Sequence, residues 1–315
     1  MTRMSRLKWG LIGGGAGSQI GPIHRIAAAI DGEYELAAGA LDIDAQAGRE
    51  FAKTLGIAPE RAYRDWREML EAEQGRPDRL DLVTVATPNA THFEITRAFL
   101  AQGFNVLCEK PMTMTVEEGA DIARLARQEN SLCAVNYGYS GYPLVRHMRA
   151  MVARGDLGRV RMVFAEFAHG HHADGADAEN ARARWRYDPA QAGVSAVLAD
   201  AGIHALHLAC FVTSQQVETL SADFASCVEG RVLEDDAMVN FRMSQGTVGR
   251  LWTSAIAIGR QHGLTLQLFG ERGGLKWMQE QPSQLYWTPL GASTQIIERG
   301  QAGLSEAAER ANRVS

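Results

Sequence analysis

Leu7-Lys8-Trp9-Gly10-Leu11-Ile12-Gly13-Gly14-Gly15-Ala16-Gly17-Ser18-Gln19-Ile20-Gly21 is a short apolar run that breaks into glycines and resumes with helical spacing as far as Ile30. An unbroken apolar run fits a strand buried on both faces, and glycines directly after it permit a tight turn into a helix. That arrangement lets backbone approach a pyrophosphate, whose charge the helix N-terminus stabilises. Gly13 and Gly15 fit the dinucleotide fingerprint, while the third glycine is either Gly17 or Gly21. With Ser18 these glycines are the candidate cofactor cradle. A plain turn is the alternative.

Outward from this stretch, strand and helix patterns alternate. Strands are predicted at Tyr34–Leu41, Leu80–Ala86, Phe104–Cys108 and Leu132–Val135. Helices are predicted at Asp44–Leu55, Asp65–Ala72, Thr91–Gln102 and Glu117–Glu129. Strands alternating with helices of this length predict a doubly wound parallel sheet covered on both faces, a Rossmann-type α/β fold. After about Tyr137 the pattern changes. A helix over Tyr142–Ala153 ends at Arg154-Gly155, and polar-apolar alternations follow from Val160 to Met278. They predict a second α/β domain with a mostly antiparallel or mixed sheet, dividing the chain at 1–137 and 138–315. The apolar stretch Val194–Val212 is predicted as its one strong helix. Ile296–Ser315 is polar, with Glu306–Arg313 weakly helical, and is expected to be disordered or to pack on a partner or on sequence absent from this chain.

With 37 acidic against 32 basic residues, the net charge of −5 gives no reason to expect nucleic acid or an anionic membrane as partner. Cys108, Cys133, Cys210 and Cys227 are scattered without a CxxC, as expected of reduced thiols in a cytoplasmic protein. The basic start, Met1–Lys8, leads into glycines and not a cleavage site, so no targeting segment is read there. Val194–Val212 carries Asp200, His204 and His207, which predicts a core helix and not a membrane span. Ala181-Arg182-Ala183-Arg184 is locally basic.

Several side chains carry chemistry. Asp42, at the end of the second strand, suits both ribose hydroxyls of an adenosine and repels a 2′-phosphate, so NAD is favoured over NADP. Asp44 is the better helix cap, which leaves Asp42 available. Thr87-Pro88-Asn89, with His92 just inside the next helix, is expected on the nicotinamide side, where Asn89 or Thr91 also suits a helix cap. Glu109-Lys110-Pro111 puts a lysine at the carboxyl end of a buried strand, beside a proline with fixed φ. Asp200 and His204 are four apart, with His207 on the same side, so they share a helix face. His169, His171, His172 and Asp174 match no structural zinc spacing. They are read as a polar, substrate-facing loop with no metal.

This ordered set resembles the Gfo/Idh/MocA oxidoreductases, which include glucose-fructose oxidoreductase and inositol 2-dehydrogenase. The glycine loop with Gly21-Pro22-Ile23-His24, then Thr87-Pro88-Asn89 with His92, Gly103 and Glu109-Lys110-Pro111, is similar to the family's cofactor half. Trp185-Arg186 followed by Asp200-Ala201-Gly202-Ile203-His204 is similar to its catalytic half. The resemblance implies bound NAD(H) or NADP(H), and Lys110, Asp200 and His204 around the reacting carbinol. It also implies an open C-terminal sheet used for homodimers or homotetramers. Asn136 and Tyr137 match a stretch lining the site, Glu109 is expected near the nicotinamide ribose, and a cis Lys110–Pro111 bond is predicted. Trp185 and Arg186 fall on the cofactor side, and Tyr139, Tyr142, His169 and His171 on the substrate side.

The chain departs from the family pattern in its glycine loop and at Val194-Ser195-Ala196-Val197, where a run of smaller residues is usual. Related sequences also continue beyond its end. The expected activity is reversible oxidation of a secondary alcohol on a sugar, cyclitol or polyol. His204 takes the hydroxyl proton, a role its ordinary pKa near 6.5 suits. The alternatives are a redox-elimination glycosidase that keeps its NAD, and a non-catalytic sensor. Retention of Lys110, Asp200 and His204 argues for an enzyme.

Overall fold

The computed structural model describes residues 6–175 and 184–312. Residues 1–5 of the basic start, 181–183 of the basic run and 313–315 of the tail lie outside the described residues. The chain divides into two compact units, Met1–Asn136 and Tyr137–Ser315.

In the first unit β1 (Leu7–Gly13), α1 (Ile20–Ile30), β2 (Tyr34–Ala40), α2 (Ala45–Thr54), α3 (Trp66–Gln74), β3 (Leu82–Ala86), α4 (His92–Leu100), β4 (Asn105–Cys108), α5 (Val116–Gln128) and β5 (Cys133–Val135) follow in order. All five strands run parallel in the order β2-β1-β3-β4-β5, the doubly wound sheet the alternation predicts. The order reverses between β1 and β3, whose last residues Gly13 and Ala86 are paired. Open α/β sheets hold their ligands beyond the strand ends at such a switch point.

Local chemistry starts the helices. Asp44 accepts from the N–H groups of Gln46 and Ala47, and Asp65 from those of Arg67 and Glu68. Thr115 and Glu118 form a reciprocal capping box on α5. At helix α4 one of the two expected caps is not made. Its N-cap residue, Thr91, makes no capping bond, because its hydroxyl turns back to Pro88 O at 2.8 Å. A buried ion cluster braces the sheet's flank: Arg61 Nη2 lies 2.6 Å from Glu73 Oε2, and the Tyr63 hydroxyl donates to Glu73 Oε1 at 2.8 Å.

The second unit contains α6 (Pro143–Arg154), β6 (Val160–Ala168), α7 (Pro189–Ala192), α8 (Ile203–Thr213), β7 (Val217–Ala225), β8 (Asp236–Met243), β9 (Val248–Ser254), β10 (Thr265–Gly270), β11 (Gly273–Met278), β12 (Gln284–Pro289), β13 (Gln295–Glu298) and α9 (Glu306–Ala311). Its eight strands are ordered β13-β12-β11-β10-β6-β9-β8-β7, antiparallel throughout except for the β6–β9 pair. Leu144 and Met148 of α6, Leu208 and Val212 of α8, and Trp277 and Leu285 of the sheet share one core. Phe164, Leu220, Phe224, Met238 and Phe269 of the sheet stay exposed.

Three expectations change here. Strands β12 and β13 extend the sheet beyond the predicted set. The predicted helix over Val194–Val212 is composite: Leu198–Gly202 is a π turn that contains Asp200, and α8 begins only at Ile203. The tail is packed. Leu304 and Ala308 enter the core, and the Ser305 N–H donates to His147 Nδ1 of α6 at 2.9 Å. Among the described residues no helix is long and apolar enough to cross a membrane.

Candidate active site

In the first unit the sheet pairing brings the loops after β1, β3, β4 and β5 to one edge. The two candidates for the third glycine differ in packing. A Cβ on Gly21 would lie 2.0 Å from Gly14 O, so α1 rests directly on the loop backbone at Gly21, whereas Gly17 is an exposed turn residue at φ +74°. Ser18 Oγ accepts the Gly21 N–H at 3.1 Å, and Arg25 Nη1 donates to Gly14 O at 2.8 Å. A Cβ on Gly15 would meet Leu41 O at 2.2 Å, so position 15 admits glycine only. Such a loop at a helix N-terminus fits a dinucleotide pyrophosphate. Asp42, two residues past β2, is half-buried and accepts the Asp44 N–H on Oδ1 at 3.0 Å.

The Lys110–Pro111 bond is cis, as predicted. Behind Lys110, Glu109 Oε1 meets His24 Nε2 at 2.8 Å and Asn136 Nδ2 at 2.6 Å, and Oε2 accepts the Lys110 N–H at 3.2 Å. Burial alone would raise this carboxyl, but the bonds from His24 and Asn136 hold it below the usual carboxylate range. His92 is only 1% exposed, with Nδ1 2.7 Å from Pro111 O and Nε2 2.8 Å from Thr87 O. Burial lowers its pKa, although two carbonyl neighbours favour the charged ring.

The sequence assigns Glu109, Asn136 and His92 to the cofactor. The structure joins Glu109 to Asn136 and commits both His92 nitrogens to backbone, so His92 ties together the loops after β3 and β4. His24 enters the sequence reading only as part of the Gly21-Pro22-Ile23-His24 match, with no role of its own. Its position, three residues after Gly21 on the helix face that packs inward, is the further signal.

In the second unit, Asp200 Oδ2 lies 3.7 Å from Arg186 Nε, so Arg186, assigned by sequence to the cofactor, stands against the candidate catalytic carboxylate. Arg186 also lies 4.9 Å over the Trp185 ring. The His204 ring is edge-on to Tyr139 at 4.8 Å and to Tyr137 at 6.1 Å, and Tyr137 stacks on His207 at 4.0 Å. His204 and His207 thus share a side, as their spacing predicts. Tyr139 stacks on Tyr142 at 6.2 Å, and burial pushes its phenol up to about 12. Tyr142 packs against core Trp277 at 5.2 Å, which makes it support for Tyr139.

Burial, together with neighbouring His172 and His171, lowers the imidazole of His169 to about 4. The His169 ring lies 4.9 Å from that of His171 and 5.6 Å from that of His172. A small cavity is lined by His169, His172, Arg186, Tyr187, Val197 and Asp200. These side chains set imidazole, guanidinium and carboxylate groups around one narrow cleft.

Residues 7–137 match the model of an oxidoreductase family's NAD-binding Rossmann fold, and residues 145–276 match the Gfo/Idh/MocA C-terminal domain. The chain is 37% identical to the uncharacterized oxidoreductase YfiI of Bacillus subtilis, over 95% of this chain and 77% of that protein. It is 26% identical to levoglucosan dehydrogenase of Pseudarthrobacter phenanthrenivorans, over 94% of this chain and 79% of that protein. Among solved structures, an inositol dehydrogenase homolog from Azotobacter vinelandii complexed with NAD+ superposes with a TM-score of 0.94 at 42% identity, covering 97% of this chain and 79% of that one. An inositol dehydrogenase homolog from Azotobacter vinelandii complexed with NADH and myo-inositol matches with a TM-score of 0.90 at 41% identity, over 97% of this chain and 79% of that one.

Proposed function

The chain belongs to the Gfo/Idh/MocA oxidoreductases and is an NAD(P)-dependent dehydrogenase, and on that premise we propose that it reversibly oxidises a secondary alcohol of a cyclitol, sugar or related polyol. The observation that carries this reading is the cluster in the second unit. Asp200 paired with Arg186, buried His204, the tyrosines beside it and the histidines after β6 form a set suited to hydroxyl groups. The inositol dehydrogenase homolog crystallised with myo-inositol supports a ring-shaped polyol as substrate.

His204 takes the hydroxyl proton. Lys110 hydrogen-bonds the same oxygen and stabilises its developing negative charge. Asp200 orients the substrate and balances the Lys110 charge. The backbone of Gly13–Gly15 and the start of α1 hold the pyrophosphate, Asp42 holds the adenosine ribose, and Thr87-Pro88-Asn89 borders the nicotinamide. NAD, when bound, supplies the hydride acceptor. Asp42 also makes NAD the preferred form over NADP, since a 2′-phosphate would face its carboxylate. The exposed apolar face of the large sheet serves a homodimer or homotetramer, and the free cysteines suit a reducing cytoplasm.

The test is a panel of inositols, sugars and sugar alcohols with NAD and with NADP, followed by absorbance at 340 nm. Net NADH formation with a cyclic polyol, faster than with NADP, is expected. Tight NADH binding without net reduction across the panel would overturn the proposal.

A further inference from the structure

The turn that carries Asp200 makes no capping bond from its own N-terminal residue, Val197. Its bonds come from Glu234, on the approach to β8. Glu234 Oε1 accepts the Ser195 hydroxyl at 2.6 Å and the Leu198 N–H at 3.0 Å, and Oε2 accepts the Ala196 N–H at 3.1 Å. The Glu234 carbonyl accepts the Val197 N–H at 3.4 Å, and Ser195 Oγ accepts the Ala199 N–H at 3.1 Å. One buried side chain and its backbone thus meet the donors of Ser195 through Leu198. Bonds from N–H groups to a carboxylate are among the stronger protein hydrogen bonds, and a helix start favours negative charge.

Glu234 is itself fixed. Its neighbour Asp235 is fully buried, accepts the Cys227 and Val228 N–H groups at 2.8 and 2.9 Å, and pairs with Arg231 at 3.2 Å. Arg231 Nη2 donates to His172 O at 2.6 Å and to Asp174 O at 2.9 Å. Two consecutive carboxylates therefore tie both the Asp200 turn and the histidine loop to one point of the sheet. At the far end of the turn, a Cβ on Gly202 would meet Leu198 Cδ1 at 2.6 Å and Thr253 Cγ2 at 2.9 Å, so the turn is pressed onto β9. With both ends held, the residue at which the helix starts decides where Asp200 and His204 point. A slip of one residue turns a helical side chain by about 100° and moves it about 1.5 Å along the axis.

We propose that Glu234 is a positioning residue for catalysis, setting the start of the π turn and thereby the aim of Asp200 and His204. The proposal rests on the assignment of those two residues to the chemistry. It goes beyond that assignment by placing a determinant of rate at a residue that touches neither substrate nor cofactor.

The test compares Glu234→Gln, which keeps the shape but sets an amide NH2 against the Ala196 N–H, with Ser195→Ala, which removes a single hydroxyl. Displacements of this kind lower kcat by about 10- to 100-fold for Glu234→Gln, with a smaller fall for Ser195→Ala. KM for the alcohol and the Kd for NADH should stay near the wild-type values. A core variant with a similar loss of Tm, Leu285→Ala, should keep its kcat. In a His204→Asn background, Glu234→Gln should cost less than in the wild type, because part of its effect runs through His204.

A wild-type kcat for Glu234→Gln, or a fall that adds in full to that of His204→Asn, would overturn the proposal. If Glu234→Gln does not fold, Ser195→Ala decides: a lowered kcat at unchanged NADH affinity supports the proposal, and an unchanged kcat overturns it. Full turnover in His204→Asn would instead sink the active-site assignment on which the proposal rests.

Discussion

Gly21→Ala tests the cofactor cradle where the structure leaves least room. The added methyl carbon would lie 2.0 Å from Gly14 O, 2.6 Å from Gly14 C and 2.8 Å from Gly14 Cα, all backbone atoms that no rotamer change can move aside. The Gly14 peptide must retreat by about 1 Å or α1 must lift, and the Arg25 bond to Gly14 O stretches with it. Overpacking of this kind costs about 1–3 kcal/mol. If most of that falls on the loop shape that receives a pyrophosphate, the Kd for NADH rises about 5- to 150-fold. Gly75→Ala is the control, since Gly75 has ordinary φ and nothing within 4 Å. The assay is NADH titration by fluorescence, with Tm measured in parallel. An unchanged Kd in a folded Gly21→Ala protein would refute the reasoning, because the loop would then not be the cradle.

Arg61→Ala should lower stability by about 3–5 kcal/mol, seen as a fall in Tm, because it strands fully buried Glu73 without its cation. Asp42→Ser should shift preference from NAD toward NADP in kcat/KM, and an unchanged ratio would remove Asp42 from the ribose site. His169, held near 4 when folded, binds a proton in the unfolded chain from about pH 6.5 downward while the folded chain stays neutral. Its stabilising contribution is therefore complete above about pH 6.5 and falls by roughly 1.4 kcal/mol per pH unit toward pH 4. Thermal melts across that range should fall more steeply for wild type than for His169→Asn, and parallel profiles would contradict the shift.

The parallel sheet was legible because its signals are local. Apolar runs of strand length, Asp44 and Asp65 at helix starts, and glycines after β1 each act within a few residues. The same holds for Gly155, which closes α6 with φ +77°. What the sequence hid depends on distant partners. His24 and Glu109 are 85 residues apart, and Glu234 caps a turn whose N-terminal residue, Val197, makes no capping bond.

The π turn leaves no periodic signature, because the apolar residues of Val194–Val212 are spread around the helix and form no single stripe to phase. The tail misled for the opposite reason. Leu304 and Ala308 are too few to make a stripe, yet both are buried against α6 and its neighbours. Polar residues in clefts were found as candidates, but burial separates their roles. His92 and Glu109 hold the backbone around Lys110, a distinction set by exposure and hydrogen bonding and not by residue type.

The most direct measurement is NADH formation at saturating NAD by His204→Asn, using the best alcohol from the panel, beside its affinity for NADH. Loss of the general base lowers the rate by about 10²–10⁴-fold. That fall, with NADH binding as in the wild type, is the predicted result. A wild-type rate from the same folded, NADH-binding variant would contradict the assignment of His204 and the active site built around it.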